Sequence, residues 1–320
     1  MMKSVQFYTQ IKTKNGFRGA QVKTRDYFDF INAHPNYKAS ICFHPNSLWS
    51  QDVLWSKENV GKLGKMLENP DIYLLKGGND WLVFDKLNKR NKVIPVISPI
   101  VNYRILDSTH KSNALLKNRA IRVCPNPDLA NRVKNNINTK GPVYCIPHGV
   151  NVSNVKLIDY QLRNIDLTII AIKNPLLGMQ VYHYFNKYFE IKIKLIDKYT
   201  SHDEFLKNLS NSKIALHLPK NKETYYLPGL ESMGLGAITI MPNCLGNIYY
   251  SINKVNAFIC KYQIRDVFKT VIDVLALDLY SMKKISKLGI EQSKSFSLEE
   301  EMKLWHKLLD NMEYFKDFCA

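Results

Sequence analysis

The chain predicts an α/β protein with two parallel sheets, each covered by helices. Three observations carry this. Short β-branched apolar runs are bounded by Pro, Gly or Asn; helical patterns lie between them; and six such runs are followed by five more. In the first half the runs are residues 4–8, 39–43, 72–75, 93–97, 120–123 and 143–146. In the second half they are 166–172, 191–196, 213–218, 237–241 and 257–259.

Two helix starts are explicit. Ser201 with Glu204 forms a capping box ahead of Phe205, Leu206 and Leu209, and Ser297 with Glu300 forms another. The second opens a long final helix in which Leu298, Met302, Trp305, Leu309 and Met312 recur at helical spacing. A Pro-His-Gly turn near 147–153 marks the boundary, giving domains of 1–148 and 149–296. The 297–320 helix is expected to pack back toward the first domain. Two Rossmann-like, doubly wound domains facing a cleft would place a ligand at the C-terminal ends of the strands.

Composition excludes several classes. At 320 residues with 45% hydrophobic side chains the chain builds real cores, so it is not a disordered protein. With 14 Gly and 13 Pro it is not collagen-like. The net charge of +17 is uneven: residues 1–150 hold 23 Lys+Arg against 10 Asp+Glu (+13), the rest 22 against 18 (+4). Such a field attracts polyanions, namely nucleic acid, anionic lipid or phosphorylated glycan; the plainer reading is a solvated Lys-rich surface. Six scattered cysteines without a C-x-x-C pair point to a reducing cytoplasm, and residues 1–17 lack the apolar core of a signal peptide. No run approaches the roughly 20 apolar residues of a membrane span.

The most informative stretch is Glu223 to Glu231, two carboxylates flanking Leu227, Pro228, Gly229 and Leu230. Pro228 suits the first turn of a helix. That places Glu223 on the loop before the helix and Glu231 in its first turn. A helix N-terminus offers free N–H groups and a positive dipole end to a diphosphate, and neighbouring carboxylates accept hydrogen bonds from sugar hydroxyls. An ordinary exposed pair of Glu is the alternative. Gly234 and Gly236 then permit a sharp turn into the next strand.

This context resembles retaining glycosyltransferases of the GT-B fold, in particular glycosyltransferase family four. The Glu, seven residues, Glu pattern is followed by a small-residue helix and an apolar strand, 232–240. Gly246 and Asn247 fall at the family's glycine-containing loop. Residues 146–151, Ile-Pro-His-Gly-Val-Asn, are similar to its interdomain turn, and 171–178 to the strand and loop that supply cations to the donor phosphates. The ordered set covers about 143–250. Of the usual two cations only Lys173 remains, with Leu177 in the other's place; Lys213, Lys220 and Lys222 are substitutes or surface charges.

The first half matches less well. Gly16, in an Asn-Gly-Phe-Arg-Gly loop, is the one candidate for the family's Gly-rich loop near the ligand. The family's acceptor-side His is missing after the 93–97 strand; His44 and His110 are possible substitutes, and His148 reads as packing. Asp80, after the 72–75 strand, would orient an acceptor hydroxyl or simply close a turn. Trp49, Trp55 and Trp81 near Lys57, Lys62 and Lys65 read as core residues beside a Lys face, with a membrane-edge patch or base-stacking surface as alternatives.

The resemblance implies a nucleotide-binding second domain, an acceptor-binding first domain and transfer of a sugar from a UDP- or GDP-sugar with retention. Glu231 would hold the ribose, Glu223 the transferred sugar, and Lys173 the leaving diphosphate. No metal site and no prosthetic group are expected, nor an obligate protein partner. The acceptor is expected to be polyanionic or membrane-associated, a cell-surface glycan or glycolipid. Hydroxymethylated pyrimidines in phage DNA are the alternative, and an inactive GT-B binding protein a third. The expected location is the cytoplasm or the inner membrane face, or the host cytoplasm for a phage chain.

Overall fold

The computed structural model of the chain describes residues 2–11, 19–44, 47, 69–76, 79–87 and 94–315. It divides into two compact units, Met1–Pro147 with Glu301–Ala320, and His148–Glu300.

The first unit holds β1 (Lys3–Thr9), α1 (Gly19–Ala33), β2 (Tyr37–Phe43), β3 (Ile72–Leu74), α2 (Asn79–Leu87), β4 (Val96–Pro99), β5 (Ile121–Cys124), α3 (Pro127–Lys134) and β6 (Val143–Cys145). Its six strands run in the order β2-β1-β3-β4-β5-β6, every neighbour parallel. The second unit holds β7 (Ile165–Ile170), α4 (Pro175–Tyr188), β8 (Ile193–Ile196), α5 (His202–Ser210), β9 (Ser212–His217), α6 (Leu227–Gly234), β10 (Ile238–Pro242), β11 (Phe258–Cys260), α7 (Ile264–Leu275) and α8 (Leu279–Ser295). Its order is β11-β10-β9-β7-β8, again all parallel.

Each of the eleven apolar runs became a strand, shifted by no more than a few residues. Strands β3, β4 and β10 are buried throughout and β9 at every position but Lys213, as continuous apolar runs require of a sheet covered on both faces. Both serines cap as expected: Ser201 Oγ accepts the Glu204 N–H at 3.2 Å, and Ser297 Oγ the Glu300 N–H at 3.2 Å.

The final helix, α9 (Leu298–Asp310), crosses the unit division at Glu301. In the first unit the buried Lys23 ammonium reaches Glu301 Oε2 at 2.5 Å, the Tyr27 and Trp305 rings lie 4.6 Å apart, and Tyr37 donates its hydroxyl to the Leu309 carbonyl at 3.0 Å. Just before that helix, Val150 and Ser297 form a parallel bridge inside the second unit. A side chain at Gly149 would collide with the Ser297 carbonyl there. The five described cysteines are free thiols. No described helix is long and apolar enough to cross a membrane.

Candidate functional site

In the second unit the candidate side chains gather at the C-terminal strand ends. Lys173 follows β7, His202 opens α5 after β8, Glu223 lies on the loop after β9, and Gly246 on the loop after β10. Helix α6 starts among them. Its N-cap, Tyr226, makes no side-chain capping bond, and Pro228 stands in its first turn, so no side chain closes the end of the helix.

The helix start is fixed from below by a buried polar chain. His217, at the end of β9, is fully buried, with Nδ1 3.2 Å from Tyr226 Oη and Nε2 2.7 Å from Ser232 Oγ. Ser232 in turn donates to the Pro228 carbonyl at 2.9 Å. The consistent assignment is Tyr226 O–H to Nδ1 and Nε2–H to Ser232, which needs a neutral imidazole. Burial pushes the His217 pKa down to about 3 and that of the Tyr226 phenol up. Tyr250 Oη donates to the Tyr226 carbonyl at 2.6 Å, and the same hydroxyl would lie 2.7 Å from a Cβ at Gly229. Gly229 is therefore set by packing.

The two glutamates each face a base. Glu223 Oε1 accepts from Lys173 Nζ at 2.7 Å and from the Lys220 N–H at 3.3 Å. Lys173 Nζ also sits 5.8 Å from the centre of the Tyr226 ring. Glu231 Oε1 is 2.8 Å from His202 Nε2. Glu231 begins the second turn of α6 instead of lying in the first, because the helix starts at Leu227. The Glu231 side chain is largely buried, at 11% exposure, and meets the half-exposed His202 at the start of α5.

The glycine-containing loop supports Glu223 from the other side. Glu223 N–H donates to the Cys244 carbonyl at 2.9 Å, and Tyr226 N–H to the Gly246 carbonyl at 3.1 Å. A Cβ at Gly246 would lie 2.9 Å from the Glu223 carbonyl and the Tyr225 backbone. Asn247 is fully buried; its Oδ1 takes the Cys244 N–H at 3.0 Å and its Nδ2 donates to the Pro242 carbonyl at 3.1 Å. Asn247 thus braces its own loop, and Leu230 is a core residue at 0% exposure. Leu227 and Pro228 stay partly exposed at the helix opening.

Other expected residues land as follows. Asp80 is in the first turn of α2, buried, and both its oxygens are used: Thr9 Oγ1 at 2.9 Å and Lys76 Nζ at 3.3 Å on Oδ2, the Gln10 N–H at 3.4 Å on Oδ1. This clasp joins the ends of β1 and β3, so Asp80 has a structural role there. His44 Nδ1 lies 3.4 Å from Gln10 Nε2 beside the same clasp, while His110 Nδ1 pairs locally with Ser112 Oγ at 2.6 Å. His148 is buried with its ring 5.4 Å from that of Tyr225. Lys213 pairs with Asp166 at 2.8 Å. Trp81 is a core residue at 0% exposure. Gly16, Trp49, Trp55, Lys57, Lys62 and Lys65 lie outside the described residues. Among the described residues no three His, Cys, Asp or Glu side chains group as a metal site would.

Sequence reasoning missed His202 and His217. His202 was absorbed into the capping box, although a His at the first position of a helix is free to turn across to a neighbour. His217 was hidden in an apolar run; a polar side chain inside a buried strand is the signal that would have found it.

Two parallel, helix-covered Rossmann-like sheets in one chain define the GT-B fold. A sucrose-phosphate synthase from Thermosynechococcus elongatus superposes with a TM-score of 0.73 at 11% identity, covering 98% of this chain and 99% of that one. HepE of Anabaena, solved with UDP and glucose, gives 0.66 at 10% identity, with 97% and 100% covered. The E. coli trehalose-6-phosphate structure bound with UDP-2-fluoro glucose gives 0.67 at 8% identity, with 99% of each covered. No protein-family model matches the chain, and no curated protein matches it in sequence.

Proposed function

We propose that this chain is a retaining glycosyltransferase that moves a sugar from a nucleoside-diphosphate sugar to an acceptor hydroxyl. The observation that carries the reading is the pair Glu223–Lys173 and Glu231–His202 set around the uncapped start of α6. The GT-B fold, and neighbours solved with UDP-sugars, support it. The diphosphate would lie against the α6 N-terminus, where oriented N–H groups and Lys173 stabilise the charge that develops as the sugar leaves. Phosphate oxygens would draw Lys173 from Glu223 and free that carboxylate for the sugar. Glu231 would accept hydrogen bonds from the ribose diol. The glutamate spacing and loop order make family four the family we favour.

For the acceptor we favour a membrane-associated glycan or glycolipid, since +13 of the +17 net charge lies before residue 151. The same charge suits hydroxymethylated DNA. The test is a transfer and hydrolysis screen over UDP-, GDP-, ADP- and CMP-sugars, with anionic lipid, modified duplex DNA and neutral oligosaccharide as acceptors. Turnover of no donor sinks the reading. Transfer to the modified DNA replaces the favoured acceptor, and transfer to the neutral sugar regardless of salt removes the charge argument.

A further inference from the structure

At the end of the first sheet where its strands begin, a basic corner carries the most exposed large apolar side chain of the described residues. Ile137 is 98% exposed. It sits at the tip of the turn that follows α3, which ends at Lys134, and precedes β6. The turn is tied down at every step. Asn136 N–H bonds the Val133 carbonyl at 3.2 Å, Thr139 N–H the Asn136 carbonyl at 2.9 Å, Thr139 Oγ1 the Val133 carbonyl at 2.6 Å, and Lys140 N–H the Leu116 carbonyl at 3.0 Å. Gly141, at φ +103°, lets the chain turn under the Ala120 carbonyl, where a side chain would collide.

That network gathers the cations. Lys140 pairs with Arg119 in a parallel bridge, Lys117 ends the 3-10 turn just before Arg119, and Lys134 ends α3. All four are exposed, and Lys117, Lys134 and Lys140 make no ion pair among the described residues. Between residues 108 and 158 the single acidic residue is Asp128, held by Arg132 at 2.8 Å. A water-soluble polyanion would be served by the cations alone. An isoleucine at the tip of a turn whose flanks are hydrogen-bonded, beside these cations, fits a surface that offers negative charge outside and hydrocarbon beneath.

We propose that this corner is a docking site for an anionic lipid bilayer, with Ile137 entering the headgroup region and Lys117, Arg119, Lys134 and Lys140 held against the surface. The proposal does not depend on the transferase reading, since the corner lies at the opposite strand ends of its sheet from the Asp80 clasp and uses no residue of the nucleotide site.

The test is co-sedimentation of the full chain with phosphatidylcholine vesicles, with and without phosphatidylglycerol, in parallel with binding to heparin. Binding is expected only with the anionic lipid, and it should weaken with salt. Ile137→Ser should weaken vesicle binding about tenfold, the partitioning of one aliphatic side chain, and leave heparin binding unchanged. Lys134→Glu with Lys140→Glu should cut vesicle binding at least ~25-fold, at about fivefold per cation. Equal vesicle binding by the Ile137→Ser variant, or heparin binding with none to anionic vesicles, overturns the proposal. Loss of vesicle binding alongside unchanged sugar transfer to a soluble acceptor supports the docking role while keeping the nucleotide site separate.

Discussion

Lys173 Nζ stands 2.7 Å from Glu223 Oε1 across fifty residues of chain, joining the loop after β7 to the loop after β9. Both side chains retain solvent contact, so the pair adds little to stability. Its consequence under the proposed function is for binding: an incoming diphosphate would meet a cation already held beside the start of α6.

Lys173→Ala should therefore weaken nucleoside-diphosphate affinity about tenfold or more, the loss of a charge-assisted hydrogen bond worth ~1.5–3 kcal/mol. Glu223→Gln should leave nucleotide affinity unchanged or slightly improved and lower turnover. Titration calorimetry and steady-state rates on the two variants separate these effects. Equal losses of affinity in both would mean that the pair acts as one structural unit.

His202 reaches the Glu231 carboxylate at 2.8 Å from a neighbouring helix. His202→Ala should raise the donor KM about three- to tenfold with kcat nearly unchanged, because the carboxylate loses the group that aims it; His202→Gln, which can still donate, should recover part of the loss. A drop in kcat at constant KM would assign His202 to the chemistry instead.

The eleven strands were legible because continuous β-branched runs have few other stable uses in a chain of this size. The site was legible only in part. Glu223 and Glu231 stand out as a spaced pair, yet the turn on which Glu231 falls depends on where α6 begins, and helix ends are the least determined feature of a sequence. Asp80 looked available because nothing local to it says that Thr9, seventy-one residues earlier, would take its carboxylate. Asn247 reads as a ligand contact until its two amide atoms are seen to brace their own loop. Partners distant in sequence decide such cases.

His217 makes stability depend on pH. Its pKa is pushed down to about 3 from an ordinary 6.5, so the unfolded chain binds the extra proton first as pH falls. The stabilisation is complete above about 6.5 and declines through the window down to 3, by about 1.4 kcal/mol per pH unit. Denaturation midpoints at pH 7 and pH 5 should show a loss of about 2 kcal/mol from this group in the wild type. His217→Gln, less stable at pH 7, should show a smaller decline. An equal decline would place the acid sensitivity elsewhere.

Gly246→Val should act on Glu223 without touching a ligand. The new side chain would press on the Glu223 carbonyl and the Tyr225 backbone, neither of which is a flexible side-chain end. A destabilisation of about 1–3 kcal/mol and a fall in turnover are expected together. Wild-type activity in a stable variant would show that the loop does not hold Glu223.

Binding of a nucleoside diphosphate by the second unit at the start of α6 is decided by titrating UDP and GDP into the wild-type chain and the Glu231→Ala variant. Saturable wild-type binding to one of them is expected, weakened about tenfold to a hundredfold in the variant, as the ribose loses a charged acceptor worth ~1.5–3 kcal/mol. No binding of either nucleotide, or equal affinity in the two proteins, would contradict it.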